Sequence, residues 1–122
     1  VNSTFSTFST FSTFSTFSTL SILVELQDCK CFYCNKPMLK GNYAVDHFIP
    51  WSMYPSDTGH NFVLADSSCN SKKSNLLASD EFLHKWQERN EEQDLIIVDR
   101  ISVLGFLTDK ERSHKVAEWA YA

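Results

Sequence analysis

The chain of 122 residues is 43% hydrophobic, with four cysteines and a formal net charge of -4, which suffices for one domain whose core needs no disulfide framework. Five of the ten phenylalanines fall within the first 17 positions, so a folded core must come from residues after about Leu20. The acidic total argues against strong non-specific binding of nucleic acid, and the apolar run over 20–26 is shorter than the ~20 residues of a membrane span and interrupted by Glu25, so we expect a soluble, cytoplasmic protein without a membrane partner.

Residues 3–20 are five Ser-Thr-Phe triplets and a closing Ser-Thr-Leu, without charge. A three-residue period gathers the phenylalanines neither on one helix face nor on one strand face, so residues 1–19 are expected to be a disordered, low-complexity segment. Residues 20–79 form the expected core domain and 80–122 a helical C-terminal support. A short helix is predicted over 19–28, with Leu20, Leu23 and Val24 inward. Alternation over 43–47 predicts a strand, residues 50–60 with Pro55, Asp57 and Gly59 a loop, 61–65 a second strand and 67–76 a helix, capped by Asp66 or Ser67. Three helical pieces follow at about 79–90, 94–104 (closed by Gly105) and 109–121. For the last, Thr108 and Glu111 have the spacing of a capping box.

The chemistry-bearing residues cluster in the middle of the chain. Asp46 and His47, adjacent at a strand end, offer a hard oxygen ligand and a base that titrates near neutrality. Asn61 lies fourteen residues beyond His47, and Asn70 nine further on, ahead of Lys72 and Lys73 on the same predicted helix. Together they make a strand, loop, strand, helix unit on which polar groups converge.

The segments Tyr43-Ala-Val-Asp-His-Phe-Ile-Pro-Trp51, His60-Asn-Phe-Val-Leu-Ala65 and Cys69-Asn-Ser-Lys-Lys-Ser74 closely resemble the HNH endonuclease family with its ββα-metal fold. The resemblance spans residues 31–79 and, more loosely, the final helix. It implies an α+β fold and hydrolysis of phosphodiester bonds in DNA. His47 is then the general base, Asp46 and Asn70 ligands of a magnesium or other divalent ion, Asn61 the residue orienting His47, and Lys73 (or, as a weaker candidate, Lys72) a phosphate contact. Phosphodiester hydrolysis needs a deprotonated water and stabilisation of charge on the phosphate and the leaving oxygen, which these residue types supply.

Cys31-Phe-Tyr-Cys34 looks like half of the zinc knuckle that many members carry, and Asp66-Ser-Ser-Cys69 occupies the place of the second half. Cys31, Cys34 and Cys69 supply three thiolates. The fourth family position holds Asp66, whose carboxylate zinc accepts, with Cys29 as the alternative ligand. His60, His84 and His114 have no such pattern and read as packed or solvated side chains.

Charge agrees with this placement. Residues 29–79 carry five lysines against three aspartates, while 80–122 carry ten acids against six bases, so the basic balance sits where the candidate site sits. The expected partner is DNA, with no small-molecule cofactor. The alternative is a non-catalytic, zinc-supported nucleic-acid-binding module or a truncated, inactive fragment.

Overall fold

The computed structural model describes residues 13–39 and 41–122, with side chains from residue 18 onward. The fold is α+β: a two-stranded hairpin and a short helix, wrapped by one helix before them and three after. Helix α1 spans Thr13–Leu26, strand β1 Tyr43–His47, strand β2 Phe62–Asp66, α2 Ser67–Lys73, α3 Asp80–Glu92, α4 Asp94–Ile101 and α5 Lys110–Ala120. Helix α1 begins six residues ahead of its predicted start. The expectation for residues 1–12 lies outside the described residues. Among the described residues, no helix is long and apolar enough to cross a membrane.

The strands pair antiparallel, with Asp46 opposite Val63 and His47 opposite Phe62. Their side chains alternate between two apolar clusters, as the two-residue period of a strand requires. Val45, Phe62 and Leu64 pack with Ile22 and Leu23 of α1 and Ile97 and Ile101 of α4. Val63 faces the other way, in a cluster with Phe32, Phe48, Ile49, Trp86 of α3 and Ala117 of α5. A hairpin alone is marginal in water, and covering both faces with helices stabilises this one. Gln27 reinforces the hairpin by pairing with the Leu64 backbone through both ends of its amide, at 2.9 and 2.8 Å.

Helix α1 ends where Asp28 and Cys29 take φ of 55° and 54°, a conformation non-glycine residues adopt singly and at a cost. That corner turns the chain into the cysteine loop, where Asn35, also left-handed at φ 62°, donates its N–H to the Cys31 carbonyl at 2.9 Å. Asparagine tolerates this region better than most residues.

Other element boundaries also depart from the sequence expectation. Asn61 belongs to a 3-10 turn over Gly59–Asn61 rather than to β2. Helix α2 stops at Lys73, because Ser74 turns to φ 51° and returns its N–H to the Asn70 carbonyl. The 94–104 piece divides into α4 and a 3-10 turn over Ser102–Leu104, closed by Gly105 at φ 98°. Helix α5 is capped by Asp109, whose carboxylate accepts the Arg112 N–H at 3.0 Å, and not by Thr108. An aspartate one position closer to the helix forms the same kind of cap and adds charge at the positive end of the helix dipole.

Candidate active site and metal centre

Strand β1 delivers Asp46 and His47 in succession, so the pleat sends them to different surroundings. The Asp46 carboxylate is buried and accepts the Tyr33 hydroxyl at 2.6 Å through Oδ2. The Lys73 ammonium sits 3.2 Å from the same oxygen and also donates to the His47 carbonyl at 3.1 Å. Burial pushes the Asp46 carboxyl up from the ordinary range, against the opposing pull of Lys73 and Tyr33. Burial likewise pushes the Lys73 ammonium down, although Asp46 works the other way. This carboxylate therefore already has a cation beside it, and its hard oxygen suits a divalent one.

Asn70 stands one turn before Lys73 on α2, a helix whose C-terminal lysine touches the end of β1. The structure thus brings Asp46 and Lys73 into direct contact and carries Asn70 on the same short helix. Lys72 is exposed.

His47 is 1% exposed, with its ring edge-on to Trp51 at 5.6 Å and to Phe62 at 5.8 Å between centroids. Its Nε2 lies 2.9 Å from Oδ1 of Asp57, a residue that sequence reasoning placed only in a loop. The single signal was an acid between Pro55 and Gly59 in the loop after the Asp-His pair, and nothing in its spacing distinguishes it from a turn residue.

Asn61 acts on the backbone beside the histidine. Its Oδ1 accepts the Ile49 N–H at 2.8 Å, and its Nδ2 donates to the Ile49 carbonyl at 2.9 Å. The Phe48 N–H reaches the Asn61 carbonyl at 2.8 Å. These bonds lock the turn leaving β1 just after His47. Helix α3 holds Asn61 from behind, because Trp86 Nε1 and an Arg89 guanidinium nitrogen both donate to the His60 carbonyl, at 2.8 and 2.9 Å. A second Arg89 nitrogen donates to the Phe62 carbonyl at 3.1 Å.

The second centre lies in the cysteine loop. The ligand atoms of Cys31, Cys34, Asp66 and Cys69 all fall within 4.8 Å of one another. Ligands around a tetrahedral zinc with bonds near 2.3 Å stand roughly 3.8 Å apart, so the set fits such an ion. All four cysteines are free thiols. Cys29 does not join the cluster, because its thiol donates to the Met38 carbonyl at 3.6 Å. That keeps it out of the group and leaves Asp66 as the candidate fourth ligand.

Asp66 uses its two oxygens differently: Oδ1 accepts the Cys69 N–H at 2.8 Å as the cap of α2, and Oδ2 faces the Cys34 thiol at 3.3 Å. The backbone bond from Cys69 holds its carboxyl below the usual range. Cys69 is pushed up to about 12, first by burial and then by the neighbouring Cys31 and Cys34 sulfurs. Three crowded sulfurs resist ionising together, and a cation among them relieves that repulsion.

His60 is buried, with Nε2 2.7 Å from Asp94 Oδ1. His114 is half-buried against Trp86, its Nε2 3.2 Å from Asn90 Nδ2, and His84 is exposed. None of the three joins either centre.

The hairpin, the helix with its lysine on the strand end, and the cysteine loop together make a strand, strand, helix unit beside a cysteine cluster. Residues 31–79 match the family model described as HNH endonuclease. No curated protein matches the chain.

Proposed function

We propose that the protein is a metal-dependent endonuclease that hydrolyses phosphodiester bonds in DNA, with His47 as general base and Asp46 and Asn70 as ligands of a magnesium or other divalent ion. The observation that carries this reading is the closure of α2 onto the end of β1 within an HNH segment: Lys73 touches both the Asp46 carboxylate and the His47 carbonyl. That contact gathers the Asp46 carboxylate, the His47 backbone and the lysine at one end of the hairpin.

His47 takes the proton of the attacking water as oxygen bonds to phosphorus. The phosphorus–O3′ bond breaks, leaving a 5′ phosphate and, once the departing oxygen gains a proton, a 3′ hydroxyl. Burial against Trp51 and Phe62 holds the imidazole in one orientation and keeps bulk water from it. Asn61 fixes the backbone that follows the base, and Lys73 adds positive charge for the phosphate. A divalent ion at Asp46 and Asn70 would supply Lewis-acid stabilisation of charge on the phosphate and the departing oxygen. Cys31, Cys34, Cys69 and Asp66 are assigned a structural zinc, which would brace the start of α2.

The deep burial of His47 favours one second reading, a nucleic-acid-binding module without catalysis. Nicking of supercoiled plasmid by the purified chain with magnesium separates the two. Wild-type protein is expected to nick and His47→Ala to lose at least about 10²-fold in rate. Equal rates for the two proteins would overturn the mechanism, and DNA binding without nicking would establish the second reading.

A further inference from the structure

The loop between the strands carries a carboxylate aimed at the proposed base. Asp57 is 12% exposed and holds Oδ1 2.9 Å from Nε2 of His47, which is 1% exposed. The residues on either side of it are fixed. Ser56 Oγ and Thr58 Oγ1 are 2.8 Å apart, Thr58 donates to the Tyr54 hydroxyl at 3.2 Å, and that hydroxyl lies 3.3 Å from Ser113 Oγ on α5. Immediately beyond, Gly59 donates its N–H to the Leu107 carbonyl at 2.7 Å. A β-carbon on Gly59 would stand 3.0 Å from the Ile101 Cγ2 and 3.1 Å from the Thr108 Cγ2, so glycine admits this close approach. On the other side of the base, Asn61 grips Ile49. The loop carrying Asp57 is therefore fastened to elements outside the family segment, and its carboxylate is held before any substrate arrives.

We propose that Asp57 is a positioning residue for His47: by accepting a hydrogen bond from Nε2–H at 2.9 Å it selects one imidazole tautomer and holds the ring in the orientation in which it meets the water. The hydrogen bond on one ring nitrogen sets the chemistry of the other. A carboxylate on that hydrogen bond also fixes the plane of the ring. The Ser56–Thr58–Tyr54–Ser113 chain makes α5 part of this device, although it contributes no group to the chemistry. This inference rests on the assignment of His47 as the base.

The test joins kinetics to a spectroscopic signature. Plasmid nicking by wild type, Asp57→Ala and Asp57→Glu is measured for kcat and KM, and the His47 ring is observed by 15N NMR in the full chain, with His47→Ala to assign its signals. The wild-type ring is expected in the Nε2–H tautomer. Asp57→Ala is expected to lose that tautomer and to fall at least about 10-fold in kcat with KM within twofold, while Asp57→Glu recovers part of the rate. A wild-type ring in the Nδ1–H form overturns the proposal without recourse to any variant, which guards against failure of Asp57→Ala to fold. Wild-type nicking lost in His47→Ala but kept within twofold in Asp57→Ala overturns it and leaves the nuclease reading standing. Absence of nicking in the wild type overturns both.

Discussion

The amide of Asn61 pairs with both backbone polar groups of Ile49, accepting at 2.8 Å and donating at 2.9 Å. Both residues are buried, so Asn61→Ala leaves an N–H and a carbonyl unsatisfied at about 1–3 kcal/mol each. Urea unfolding of Asn61→Ala should show a loss of roughly 2–6 kcal/mol, accompanied by slower nicking because the turn after His47 loosens. A stability within about 0.5 kcal/mol of wild type, the range of an ordinary surface change, would show that the pairing is dispensable.

Lys73 and Asp46 form a largely buried ion pair. Removing one partner strands the other, at a cost of about 3–5 kcal/mol for a buried pair. Lys73→Met should unfold at lower temperature than wild type. Magnesium should then raise its midpoint by more than it raises that of wild type, since the orphaned carboxylate gains a cation. Adding Asp46→Asn to Lys73→Met should abolish the magnesium response. A response that survives in the double variant would place the ion elsewhere.

Asp66 serves the helix and the cysteine cluster with different oxygens, and the two roles are separable. Serine is as good a cap as aspartate but a poor zinc ligand. Asp66→Ser should therefore keep α2 while losing zinc to a competing chelator more readily than wild type, by elemental analysis after dialysis. Asp66→Cys should retain zinc more firmly than either. Equal zinc content in all three after chelator treatment would remove Asp66 from the ligand set.

Burial holds His60 below its ordinary pKa of 6.5, outweighing the opposing effect of Asp94, and burial lowers His114 in the same way. The unfolded chain takes up these protons near pH 6.5, whereas the folded chain resists them until lower pH. Stability from this source is full above about pH 6.5 and declines as pH falls below it. Thermal midpoints measured from pH 8 to pH 5 should fall through that window, and His60→Gln should flatten the fall (both pH limits are roughly the span over which histidine titrates). An unchanged slope in His60→Gln would assign the acid sensitivity to other groups.

Much of the core was legible in the sequence. Strand β1 lies where alternation placed it, and the hairpin-helix unit with its cysteine cluster follows from the spacing of Asp46, His47, Asn61, Asn70 and Cys69. The less legible parts depend on tertiary contact. Asp57 reaches His47 because Tyr54 and Thr58 are tied to Ser113 across a long stretch of chain, and no local pattern reports such a tie. Asn61, expected to orient His47, grips the backbone of Ile49, two residues beyond it, a partner with no sequence signal. Thr108 and Glu111 had the spacing of a capping box, yet Asp109 prevailed because the chain enters the helix one residue later. Cys29 sits close to Cys31 in sequence, but two left-handed residues turn it toward Met38.

Trp86 stacks on Phe48 at 4.9 Å and is fully buried while donating to the His60 carbonyl. It lies seven positions beyond residue 79, where the family match ends. The stretch that matches the family model is therefore smaller than the unit that must fold together. Excised on its own, 31–79 would expose the face that Trp86 and Ala117 seal and would lose the donors that brace His60. Any transplant of this domain into another protein should carry the chain through Tyr121, whose hydroxyl donates to the Ala78 carbonyl at 2.9 Å and fastens the last helix to the end of the core.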